Sequence, residues 1–124
     1  LVGSEMCIRD SYLPQAKIYD RSCSLGPWIA LEDDEPTVRT WRVSIAIDRG
    51  GRQVFSGETG IDKIKRTFDD LIGHLWRSQS FPHGAILLTG TGVVPDESFT
   101  LAAGDRIAIN ISGIGRLENT VAVV

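Results

Sequence analysis

The sequence predicts an α+β domain, mostly β, with one amphipathic helix packed on a sheet. Three observations predict it. Apolar residues alternate with period two in several short runs, glycines cluster in the turns between them, and one segment repeats its apolar residues every three or four positions. The chain has 124 residues, enough for one domain with its own core. At 42% hydrophobic and 23% charged the composition is that of an ordinary globular protein. A net charge of −3 gives no electrostatic reason to expect nucleic acid. No apolar run is long enough to span a bilayer. Cys7 and Cys23 have neither metal spacing nor a disulfide framework, so a reduced cytoplasmic setting is expected.

Residues Leu1–Ser11, LVGSEMCIRDS, carry no period of either kind and no signal-peptide core. They read as a translated sequencing-adapter tail, with native sequence expected from Tyr12 to Val124 and an upstream portion missing. Pro14 sets an extended entry. Lys17 lies between Ala16 and Ile18, where a lysine is either partly desolvated, with a lowered pKa, or solvated on a loop. Cys23, among small residues and with no histidine nearby in sequence, reads as a packed thiol. Gly26-Pro27 marks a turn. Glu32-Asp33-Asp34-Glu35-Pro36 reads as a solvated loop, because consecutive carboxylates diverge and do not converge on one ion.

Trp41, Val43, Ile45 and Ile47 alternate with polar or small residues as a half-buried strand. Arg49-Gly50-Gly51-Arg52 is a hairpin turn, and Gln53–Ser56 returns. The periodicity then predicts a helix opening at Thr59, with Asp62 completing a capping box and Ile61, Ile64, Phe68, Leu71, Ile72 and Leu75 on one face. Lys63, Arg66, Asp69 and Asp70 fall on the other. His74, at the helix end, complements the dipole or faces solvent, and His83 sits in an exposed turn. Ile107, Ile109 and Ile111 alternate as a strand, Gly113-Ile114-Gly115 reverses the chain, and Arg116–Val124 is the last strand.

The stretch Gly84–Pro95, GAILLTGTGVVP, organises the rest. Ala85–Leu88 reads as a strand buried on both faces. It delivers Thr89-Gly90-Thr91-Gly92, a loop of small residues and hydroxyls that a ligand can approach closely; a tight turn without ligand reads the same way. The lysine of a P-loop is missing.

Four blocks carry a family likeness: YLPQAK-x-YD-x-SC-x-LGP, GET-x-x-x-x-x-KR-x-F-x-x-L-x-x-x-L, FP-x-GA-x-LLTGTG-x-VP and FTL-x-x-GD-x-I-x-I-x-I-x-GIG-x-L-x-N. In this order, from Tyr12 to about Val121, they resemble the C-terminal part of the fumarylacetoacetate hydrolase family, in its subgroup similar to 2-keto-3-deoxy-D-arabinonate dehydratases. The resemblance implies a mixed β-roll, a 2-keto acid substrate, a homodimer, and Mg²⁺ or Mn²⁺ held by a Glu-x-Glu pair and an Asp. Oxygen ligands suit such an ion. In the family these carboxylates precede the segment matching Tyr12, and no Glu-x-Glu occurs here. Arg9-Asp10 mimics a family pair at the wrong separation. The resemblance makes Lys17 the active-site lysine, placed to stabilise an enolate, and makes Gly90 and Thr91 the substrate-binding loop. It implies a metal-assisted lyase or a carbon–carbon bond hydrolase, and for the chain as written a scaffold without catalysis of its own.

Overall fold

The structure, a computed structural model, describes residues 20–32 and 34–123. Its centre is a four-stranded antiparallel sheet of order β2-β1-β3-β4. The strands are β1 (Arg42–Arg49), β2 (Arg52–Gly60), β3 (Arg106–Ile111) and β4 (Gly115–Thr120). Helix α1 (Glu35–Arg39) precedes the sheet, a 3₁₀ turn follows β2 at Ile61–Lys63, and α2 (Phe68–Trp76) comes next. No helix among the described residues is long and apolar enough to cross a membrane.

The β1–β2 hairpin follows from Gly50 and Gly51, whose φ of +58° and +82° suit a tight turn with the twist of the flanking strands. Pairing runs from Arg49↔Arg52 to Arg42↔Gly60, with a bulge after Ile47. Val43, Ile45 and Ile47 share a face with Phe55 of β2 and Ile107 and Ile109 of β3, as the alternation predicts. Ile47 is fully buried and Ala108 nearly so. The opposite face carries Ser44, Ala46, Ala108 and Asn110. Where β3 turns into β4, Gly113 lies so close to the Trp41 indole that a Cβ would overlap it.

One buried charge ties the sheet to the loop before β3. The Asp105 carboxylate, fully buried, accepts from Arg49 Nε at 2.8 Å and Nη2 at 2.7 Å. It also accepts from the Ala102 N–H at 2.8 Å. The Arg49 guanidinium, and then the Ala102 amide, hold its pKa down at about 2.

Five expectations need correction. The acidic run is more than a solvated loop. Asp34 caps α1 by accepting from Thr37 N at 2.9 Å, and Pro36 sits in the first turn, where its missing N–H costs nothing. Second, no helix opens at Thr59. That residue pairs with Val43 in β2, and ladder bonds to β1 override the helical spacing as far as Gly60. The helix begins at Phe68, with Thr67 Oγ1 accepting from Asp70 N at 3.2 Å. Third, Ala85–Leu88 forms no strand, and Ile86, Leu87 and Leu88 are 64%, 42% and 65% exposed. No described strand lies beside it to complete a ladder. Fourth, Cys23 is exposed and not packed. Fifth, the last strand stops at Thr120.

Candidate functional site

The Thr89–Gly92 loop is seated on the end of β2 by two glycine contacts. A Cβ on Gly92 would meet Thr59 Oγ1 at 2.7 Å, and a Cβ on Gly57 would overlap the Val93 side chain. Each glycine therefore accepts a side chain of the other segment. Gly90 has a different role. Its φ is +91°, a conformation that favours glycine, and the direction a Cβ would take is open space. Thr91 Oγ1 accepts from Val93 N at 3.2 Å and donates to Val93 O at 3.0 Å. This bends the loop back on itself and leaves the hydroxyl one further acceptor site.

The loop forms one wall of a cavity of about 440 Å³ that also includes Thr59 and Leu71. Lys63, Lys65 and Arg66 line it as well, and no carboxylate does among the described residues. Lys63 Nζ lies 3.6 Å from Asp62, and Arg66 Nη1 lies 3.1 Å from Asp70. Lys65 has no ion pair among the described residues. Its backbone is held by Arg39, whose guanidinium donates to Ile64 O at 2.6 Å and Arg66 O at 2.7 Å. Arg39 is itself oriented by Glu35 at 2.6 Å. Glu35 also accepts from Phe68 N at 3.0 Å, and that amide, more than the arginine, draws its pKa below the ordinary value.

Gly90 and Thr91 thus line a cationic cavity. Lys17, expected to share their site, lies outside the described residues, as do residues 1–11. Sequence reasoning does not name Thr59, Lys63, Lys65 and Arg66 as lining residues. The signal is present in Lys63-Ile64-Lys65-Arg66, but a helical reading assigns Lys63 and Arg66 to a solvated face. Ending β2 at Gly60 turns the segment toward the loop instead.

A larger cavity of about 700 Å³ lies on the isoleucine face of the sheet. Ile45, Ile107, Ile109 and Leu117 line it, with Cys23 and the Ser24–Asn119 hydrogen bond of 2.9 Å at its edge. Its chemistry is mainly that of an uncovered core. Among the described residues no group of His, Cys, Asp or Glu could hold a metal ion. The described residues therefore do not fit a magnesium site. Glu32, Asp34 and Glu35 are engaged instead: Glu32 accepts from Asp34 N at 3.2 Å, Asp34 caps α1, and Glu35 binds Arg39 and Phe68.

Comparison with known proteins agrees with this architecture. The sequence model described as "Fumarylacetoacetate (FAA) hydrolase C-terminal" matches residues 3–122, a span that takes in most of the tail as well. The chain is 39% identical over 113 residues to a protein of Haloferax volcanii described as a probable 2-keto-3-deoxyxylonate dehydratase, covering 91% of this chain and 39% of that one. It is 38% identical over 110 residues to the 2-dehydro-3-deoxy-D-arabinonate dehydratase of Saccharolobus solfataricus, covering 89% and 37%. A solved 2-keto-3-deoxyarabinonate dehydratase superposes with a TM-score of 0.84 at 37% identity, over 90% of this chain and 38% of that one. Another, complexed with magnesium and 2,5-dioxopentanoate, gives 0.82 at 37% identity, over 88% and 39%. The chain spans about two fifths of the length of these relatives. Sheet order, the seated Gly-Thr loop and these matches lead to one assignment: the chain belongs to the fumarylacetoacetate hydrolase family, in its C-terminal region.

Proposed function

We propose that the whole protein is a dehydratase acting on a 2-keto-3-deoxy sugar acid of the arabinonate type, and that this chain cradles the charged end of the substrate. One observation carries the reading. Gly90 and Thr91 line a cavity whose charged side chains are all cationic, in a chain 38% identical to an arabinonate-type dehydratase. A positive lining suits the carboxylate of such an acid.

In the proposed reaction a proton leaves C3, an enolate forms across C2 and C3, and its electrons expel the C4 hydroxyl, which departs as water. Lys17 provides a cation beside the developing enolate oxygen. The open backbone at Gly90 lets the carboxylate approach, and the Thr91 hydroxyl turns from Val93 to donate to it. Magnesium, present in the solved relative, would take its carboxylate ligands from outside the described residues and would supply Lewis-acid stabilisation of the enolate. A cytoplasmic homodimer with a small-molecule substrate completes the reading, and the chain as written is not catalytic by itself.

The test is an assay of the protein encoded by the complete gene. With Mg²⁺ it should dehydrate 2-keto-3-deoxy-arabinonate and leave an acylpyruvate uncut. Cleavage of the acylpyruvate without dehydration would make it a carbon–carbon bond hydrolase instead.

A further inference from the structure

Among the described residues, the cavity beside the Gly-Thr loop has one cation whose neighbouring backbone the fold fixes and whose charge no carboxylate neutralises. Lys63 and Arg66 each have a neighbouring carboxylate, Asp62 and Asp70. Lys65 stands between them without one among the described residues. The two carbonyls that flank it, Ile64 O and Arg66 O, are both fixed by the Arg39 guanidinium. An arginine that clamps both sides of a single residue positions that residue's backbone from α1. Across the cavity lie Gly90 and Gly92, neither with a hydrogen-bond partner among the described residues. The cavity's charge and geometry call for a small anion between them.

We propose that Lys65 is the anion-recognising residue of this cavity, taking a small organic carboxylate against the Gly90–Gly92 backbone, with Arg39 as its positioning residue. The proposal deepens the dehydratase reading and rests on it for the identity of the acid, not for the sign of its charge. The Lys65 side chain is exposed, so its contribution is that of a solvated ion pair, about fivefold in affinity at most.

The experiment is an NMR titration of the full chain with 2-oxobutyrate and, separately, with its neutral analogue 2-oxobutyramide. The carboxylate should shift the amide signals of Gly90, Thr91 and Gly92 and the Lys65 ammonium signal, and the amide should not. Lys65→Gln should weaken 2-oxobutyrate binding about fivefold with the fold intact, whereas Lys63→Gln should change it less, because Asp62 already neutralises that lysine. Equal binding of ketoacid and ketoamide, or unchanged affinity in Lys65→Gln, would overturn the proposal. A complete-gene protein that binds the anion through Lys65 but does not dehydrate sugar acids would sink the dehydratase reading and leave this one standing.

Discussion

At residue scale the clearest commitment is Asp105. A carboxylate with no exposure, gripped by both nitrogens of one guanidinium face and by a backbone amide, strongly favours its ionised form. Its folded pKa of about 2 lies below the ordinary 3.8. The stability it contributes is therefore complete above the unfolded pKa and is lost as pH falls from about 4 toward 2. Thermal melts across that window should show the loss in the native chain and a flatter profile in Asp105→Asn. The variant should also melt roughly 5 °C or more lower at neutral pH, since it leaves Arg49 without its partner. A second prediction concerns the seat of the loop. In Gly57→Ala the new methyl overlaps Val93, so the amide signals of residues 90–93 should move and the chain should lose about 1–3 kcal/mol in denaturant titrations. Neither contact is legible in the sequence. Asp105 stands in a Gly-Asp turn that looks like any other, and Arg49 is 56 residues away. Gly57 and Val93 belong to separate segments, and nothing in either announces the other.

At the scale of elements, sequence and structure agree wherever a local signal coincides with pairing. The alternation in β1 and β3 and the Gly50-Gly51 turn are legible because neighbouring strands satisfy the pattern that the residues carry. The helix start is misleading because the sequence holds two capping signals of the same form. Thr59 with Asp62 and Thr67 with Asp70 have the same spacing, and no local feature decides between them. Pairing with β1 captures the first, which leaves the second to cap α2. Thr67→Ala should therefore destabilise the chain by about 1 kcal/mol, and removing the Thr59 hydroxyl should show no helix-cap signature in far-UV spectra. The Glu35–Arg39 pair links α1 to residues 64–68, so the short helix acts as a brace for the basic wall of the cavity. The acidic run gives no hint of this, since the partner arginine's two carbonyl acceptors are backbone atoms that carry no sequence signature.

At the scale of the whole molecule, Ile47 and Ala108 are buried among the described residues, one on each face of the sheet, and much apolar surface is uncovered. Trp28, Ile29 and Leu31 are 64%, 83% and 97% exposed, and Ile86–Leu88 present a further apolar strip. Surface of this kind calls for a covering partner. The purified chain should accordingly bind a hydrophobic dye and sediment as concentration-dependent assemblies, and a dye-silent monomer at high concentration would contradict this. The buried strand expected at Ala85–Leu88 belongs to the same scale. Its apolar run is genuine, but a strand is defined by a neighbour, and a run of side chains does not reveal whether one is there.

The proposed function rests on a division of labour in which this chain would provide the substrate wall and the metal ligands would come from elsewhere; among the described residues no group of His, Cys, Asp or Glu could hold a metal ion. Turnover of 2-keto-3-deoxy-arabinonate by the 124-residue chain alone, with and without Mg²⁺, decides whether that division holds. Without the Lewis acid several kcal/mol of enolate stabilisation is missing, which is several orders of magnitude in rate. The expected result is no magnesium-dependent turnover above background. Turnover that vanishes with EDTA and in Lys17→Ala would show a competent metal centre within these residues, and the division would be wrong.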